Sequence, residues 1–221
     1  MLAKDFVNHV LPVLKPSDTV ADAMDWMEEF RVGQLVIVDG ETYKGLASHD
    51  GLVEHDEDTP LEALQMDYSG VYVTPYQHLF EILSLTQQHA LEAVAVINED
   101  GFFEGTIVVK ELLDEFAKSL GTQELGAVVE IAVENRSYSL SEISRLIESN
   151  DTKIISSYYS SGNEHNDFKS TLTLKLNRKD ISHVVATLER FEYEVVAAYA
   201  FEAMDSPDKE RYELLMKYLT I

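Results

Sequence analysis

The chain has no cysteine, and basic residues are scarce, with 17 Lys and Arg against 40 Asp and Glu in 221 residues. Without cysteine there can be no disulfide, no thiolate metal site and no cysteine nucleophile. The resulting net charge of −23 repels nucleic acid and anionic membrane surfaces, so neither is expected as a partner. Hydrophobic runs are short: none approaches the ~20 residues needed to span a bilayer, and Met1 to Val10 lacks the charged-then-apolar layout of a secretory signal. A cytoplasmic location is the resulting expectation. Catalytic signatures are missing too: the sequence holds no G-x-S-x-G, no phosphate-binding loop and no H-E-x-x-H, so no enzyme activity is expected.

What is present is a repeat. Pro16 to Asp39 aligns without a gap on Pro75 to Asn98, a constant shift of 59 residues. Few residues are identical, and the pattern is what recurs. Val20, Ala23, Met24 and Met27 fall at helical spacing, and Leu79, Ile82, Leu83 and Thr86 take the same places. Thr19 and Ser17 stand where the N-cap of the first helix belongs, and His78, a weaker cap, at that of the second. LVIVD (35–39) and AVAVIN (93–98) then read as buried strands, and Asp39-Gly40 and Asp100-Gly101 as turns. Second strands through Gly45 and Gly105 follow, each feeding a helix, at Leu52-Val53 and at Leu112-Leu113 onward. Paired copies pack about a pseudo-twofold axis, and the seam between them is a natural ligand site.

Residues 117–126 break this pattern, and beyond them the order becomes strand, helix, strand, strand, helix, strand. AVVEIAV (127–133) is the first strand, and Ser139 with Glu142 predicts a capping box on a helix carrying Leu140, Ile143 and Ile147. A hairpin is predicted from 154–160 and 170–176 around SGNEHND, with Leu172, Leu174 and Leu176 buried and Thr171, Thr173 and Lys175 facing water. Ile181, Val184, Val185 and Leu188 mark the second helix, and VVAAYAF (195–201) the last strand. The tail after Pro207 places Tyr212, Leu215, Met216 and Leu219 on one helical face.

With VLKPSDTVADAM, LVIVDGETYKGLAS, VTPYQHLFEIL and AVAVINEDGFFEGTIV in that order, the first half resembles a tandem pair of CBS domains. The βαββαβ segment resembles an ACT domain, and the combination is similar to CBS-ACT regulatory proteins of the acetoin-utilisation type. The fold class implied is α/β and α+β: a CBS pair plus a ferredoxin-like domain. CBS repeats are expected at 1–65 and 66–120, a linker at 121–126, the ACT-like domain at 127–204 and a helical tail at 205–221.

The resemblance implies a non-enzymatic, ligand-sensing homodimer that controls an unknown protein. Its effector would be an adenine nucleotide or S-adenosylmethionine held between the CBS repeats, with no cofactor required. Candidate cleft residues are Val13, Leu14, Gly45, Ser48, Asp50, Val73, Gly105 and Glu111, and Asn135 is the candidate of the ACT-like loop. In such sites a hydroxyl reaches phosphate and a carboxylate accepts from the ribose diol. The first copy has Ser48, but Gly51 stands at the acid position and Asp50 one residue early; the second has Glu111, but Val108 replaces the hydroxyl. Tyr138 stands where the ACT-like loop carries glycine. The alternative is an interaction protein with degenerate pockets. His49, Asp50, His55, Asp56, Glu57 and Asp58 form the densest set of metal-ligand types, but their spacing lacks an i, i+4 His pair, so no metal site is expected.

Overall fold

The computed structural model describes residues 1–65, 68–134, 138–161 and 170–201. The chain divides into two compact units, Met1–Phe116 and Ala117–Ile221.

In the first unit, α1 (Val20–Phe30), β2 (Gln34–Asp39) and β3 (Thr42–Ser48) match α3 (Leu79–His89), β4 (Ala93–Ile97) and β5 (Phe103–Val108). A two-residue strand, β1 (Val7–Asn8), precedes them. The 59-residue shift holds at the level of single contacts. Leu14 bridges Ile37 in parallel, and Val73 bridges Val96. Both hairpins bulge at the same place, between Ile37 and Val38 and between Val96 and Ile97. Both long helices end on a left-handed residue, Arg31 at φ 54° and Ala90 at φ 51°. Thr19 Oγ1 accepts from the Asp22 amide at 3.2 Å, and His78 Nδ1 from the Phe80 amide at 3.3 Å. Thr19, not Ser17, is therefore the first cap and His78 the second, and the Asp22 and Glu81 carboxylates accept in return from the capping backbone amides.

Because β2 is apolar on both faces, it builds two cores at once. Val36 and Val38 join the second copy's Ile82, Val94, Val96 and Ile107. Leu35 and Ile37 pack with Val20, Ala23 and Met27 of their own helix. A continuous apolar strand is what burial on both faces demands.

The copies also exchange their leading segments. Leu61 N–H donates to Asp18 O and Glu62 N–H to Pro16 O, so residues 59–62 brace the first helix. Ala3 N–H donates to Gln77 O and Lys4 N–H to Pro75 O, so residues 1–4 brace the second. Each segment contains a short 3-10 turn, Ala3–Phe6 or Leu61–Ala63. After Pro60 the chain makes only this one 3-10 turn. The helix predicted at Leu52-Val53 is likewise a single turn, α2 (His49–Leu52), which places Gly51 in its interior. Its counterpart α4 (Val109–Ser119) has no glycine and runs 11 residues.

The second unit contains β6 (Gly126–Val133), α5 (Leu140–Glu148), β7 (Ile154–Ser160), β8 (Ser170–Leu176), α6 (Ser182–Arg190) and β9 (Glu194–Phe201). Element order is as the pattern predicts. The four strands form one antiparallel sheet in the order β7-β8-β6-β9. Val129, Ile131, Leu172 and Leu174 pack against Ile143, Ile147, Val184 and Leu188 of the two helices.

Two expectations need correction. Thr173 and Lys175 are buried, at 5% and 8% exposure, where water was expected. Since β8 is an inner strand, Glu130 and Tyr158 flank Thr173, and Val128 and Ser156 flank Lys175. The Ser139–Glu142 box is half formed: Ser139 Oγ accepts from the Glu142 amide at 3.3 Å, but the Glu142 carboxylate accepts from Tyr193 Oη at 2.9 Å. The loop at 162–169 and the tail from 202 lie outside the described residues.

Candidate functional site

In the first copy β3 delivers Ser48 in extended conformation to the start of α2, and its Oγ accepts from the Gly51 amide at 3.2 Å. Ser48 thus serves as an N-cap. Asp50 points to solvent beside His49, 3.5 Å from its Nδ1. A Cβ at Gly51 would lie 2.9 Å from Ser48 Oγ, so the acid position is also crowded by the cap. The cavity here is about 40 Å³, lined by Ile37, Ala47, Ser48, Gly51, His55 and Leu61. That is little more than the ~30 Å³ share of one water and far below the ~300 Å³ at which small-molecule pockets begin.

Val13, Leu14 and Gly45 occupy different surroundings. Leu14 is fully buried, its N–H donating to Val36 O and its carbonyl accepting from Val38 N–H. Gly45 is buried opposite Ile37 at the bulge. Val13 is 38% exposed and lines a separate groove of about 510 Å³ with Lys15, Asp39, Glu62 and Phe103. The structure therefore places Val13 and Ser48 on different concavities.

In the second copy Val73 is buried, with its N–H donating to Ala95 O and its carbonyl accepting from Ile97 N–H. Gly105 has φ 154°, and a Cβ built on it would collide with Val7 Cγ1, with His9 Nδ1 at 3.6 Å. Glycine here admits the protein's own N-terminal strand. Glu111, in the first turn of α4, accepts from Asn8 Nδ2 at 2.9 and 3.0 Å through its two oxygens. Asn8 Oδ1 accepts in turn from the amides of Val10 at 2.7 Å and Leu11 at 3.1 Å. Across the ladder from Asn8 stands Thr106, 1% exposed, whose Oγ1 has no partner among the described residues.

The seam between copies has polar joints that sequence reasoning missed. Glu92 accepts from the Gly33 amide at 2.8 Å across the 59-residue shift, so equivalent positions meet. Buried Gln34 accepts from the Glu92 amide at 2.8 Å and donates to Ala90 O at 3.4 Å. A polar Gln opening the apolar run QLVIVD was the available signal. Tyr43 is also buried between segments, donating to Tyr68 O at 2.9 Å, and burial pushes its phenol well above the usual range.

In the second unit Asn135 lies outside the described residues. Tyr138 stacks on Tyr159, centroids 5.9 Å apart and planes 8° from parallel. It also lines a groove of about 330 Å³ with Glu134, Glu192, Tyr193 and Glu194. Burial, then the bond to Glu142, raises the Tyr193 phenol. Among the described residues no group of three or more His, Asp or Glu is placed to hold a metal, and no helix is long and apolar enough to cross a membrane.

No protein-family model matches the chain, and no curated protein matches it. Solved structures do. A CBS domain pair/ACT domain protein from Thermotoga maritima is 18% identical with a TM-score of 0.50, over 54% of this chain and 99% of that one. A CBS-pair protein, CBSX2 from Arabidopsis thaliana, is 20% identical (TM-score 0.47; 53% and 94% covered). The CBS domains of a transcriptional regulator from Streptococcus pneumoniae are 14% identical (TM-score 0.48; 52% and 98% covered). The first of these likenesses, together with the duplicated geometry, gives the class: a CBS domain pair fold over about half the chain.

Proposed function

We propose that this is a non-enzymatic regulatory protein that senses a small ligand through its CBS pair. The observation that carries the reading is the duplicated strand-to-helix junction: each copy has a glycine in its second strand, Gly45 or Gly105, and passes from that strand straight into a helix, at Ser48–His49 and Val108–Val109, beside a pre-helix segment paired to the buried strand. Fold likeness alone does not assign an activity. The chemistry of Glu111 and the net acidity favour a ribose-bearing ligand with little or no phosphate, such as an adenosyl compound or S-adenosylmethionine, over ATP.

In this reading residues 1–65 and 66–120 are the two repeats, 121–126 a linker, 127–204 a ferredoxin-like domain of the ACT type and 205–221 a helical tail. The strand order β7-β8-β6-β9 supports the ACT-type assignment. That domain mediates homodimer assembly or takes a second input, and the regulated partner is another cytoplasmic protein.

Thermal unfolding against AMP, ATP, adenosine, S-adenosylmethionine and amino acids tests the reading. A true effector at a hundredfold its Kd adds about 2.7 kcal/mol; stabilisation by none of the panel sinks it. A second reading, an interaction protein with closed pockets, is favoured by one observation, the cavity of only about 40 Å³ at Ser48. It predicts the null result of that same panel.

A further inference from the structure

We propose that Asn8 is a built-in occupant of the second repeat's ligand position: a latch that holds Glu111 and must let go before a ligand with paired hydroxyl donors can bind there. The inference rests on the sensing reading above and adds how that site is controlled.

The latch has two ends. Asn8 Nδ2 spans both Glu111 oxygens at 2.9 and 3.0 Å, which are the atoms a vicinal diol would use. Its Oδ1 is tied to the Val10 and Leu11 amides, so the side chain is oriented by its own turn. The strand that carries it is short: β1 pairs with β5 through Val7↔Ile107 and Asn8↔Thr106 only. Gly105 is what lets Val7 approach this closely, since any Cβ would collide with it. Under the strand edge the Thr106 hydroxyl, 1% exposed, has no partner among the described residues. A buried hydroxyl without a partner carries a desolvation cost, and withdrawal of Asn8 would give it access to water or ligand. The first copy differs, because Ser48 there is committed to a helix cap and the acid position is Gly51.

The test is calorimetric titration of the full chain with adenosine, and with 2′,3′-dideoxyadenosine as the probe lacking the diol. Asn8→Ala frees Glu111 and should bind adenosine about tenfold more tightly than wild type, the order expected for losing a hydrogen bond to a charged group. Asn8→Ser keeps a short acceptor for the neighbouring amides but is too short to reach Glu111; it should move affinity in the same direction even if Asn8→Ala folds poorly. Dideoxyadenosine should gain nothing, and Asn8→Ala with Glu111→Ala should lose the gain. Equal adenosine affinity in wild type and both Asn8 variants overturns the latch, as does an equal gain for dideoxyadenosine. Wild-type binding with no effect of Asn8 sinks the latch and leaves the sensing reading standing. Binding by the variants alone upholds the latch and shows the wild-type site to be closed.

Discussion

The two copies of the first unit share a scaffold to the level of single hydrogen bonds and differ in how they use the turn at its end. In the first copy Ser48 satisfies its own helix, leaving a space of about 40 Å³. In the second the acid at that turn is satisfied from a distance, by Asn8, 103 residues earlier in the chain. A locally closed turn and one closed by a remote segment are different kinds of closure. The former can be opened only by breaking a helix cap; the latter opens by moving a two-residue strand. The scaffold is the conserved part of the comparison, and substitutions at equivalent positions measure how far the equivalence extends.

The largest effect is expected at the parallel bridges. Leu14→Ala empties a fully buried site and should cost about 2–5 kcal/mol in urea unfolding. Val73→Ala, at the matching position, removes fewer carbons and should cost less, roughly 1–3 kcal/mol. A smaller loss at Leu14 than at Val73 would mean that the first copy unfolds locally before the second.

Next comes the joint where equivalent positions meet. Glu92→Ala removes the acceptor for the Gly33 amide and should cost about 1 kcal/mol. Gly33→Ala probes the other side, because its Cβ would fall 2.8 Å from Glu92 Oε2 and push that side chain away. Unchanged urea midpoints for both variants would show that the Gly33–Glu92 bond adds nothing measurable to the joining of the copies.

The caps are expected to follow. Thr19→Ala should cost about 1 kcal/mol, within the usual range for a lost hydroxyl cap. His78→Ala should cost less, since an imidazole reaching Phe80 N–H at 3.3 Å is the weaker cap. Thermal unfolding of the two variants side by side checks the order.

Much of this architecture was legible in the sequence because period and position carry it. The helices show in the spacing of Val20, Ala23 and Met27, and the strands in uninterrupted runs such as AVAVI. The exchange of leading segments was not legible. Residues 1–6 (MLAKDF) and 59–64 (TPLEAL) share no identity, and their equivalence lies in backbone bonds that any side chain permits. The candidate site was half legible for a related reason. A motif names Ser48 and Glu111, but it cannot say that Gly51 N–H and Asn8 Nδ2 are already bound to them. Nor did alternation predict that Thr173 and Lys175 are buried, because burial of a second face depends on which strands flank it.

The smallest effect expected is on acid stability, and it again sets copy against copy. The Thr19 backbone and hydroxyl donate to Asp22 and lower its pKa; the His78 backbone, then Gln77, do the same for Glu81. A carboxylate whose pKa is lower folded than unfolded binds fewer protons in the native state. Its contribution is therefore fully present above the unfolded value and is lost as pH falls through the folded one. Both groups are fully exposed, so the contribution is small and salt-sensitive. Asp22→Asn and Glu81→Gln should each flatten the decline of stability below about pH 4. They should leave the slope at pH 6–8 unchanged, as read from urea midpoints across the range.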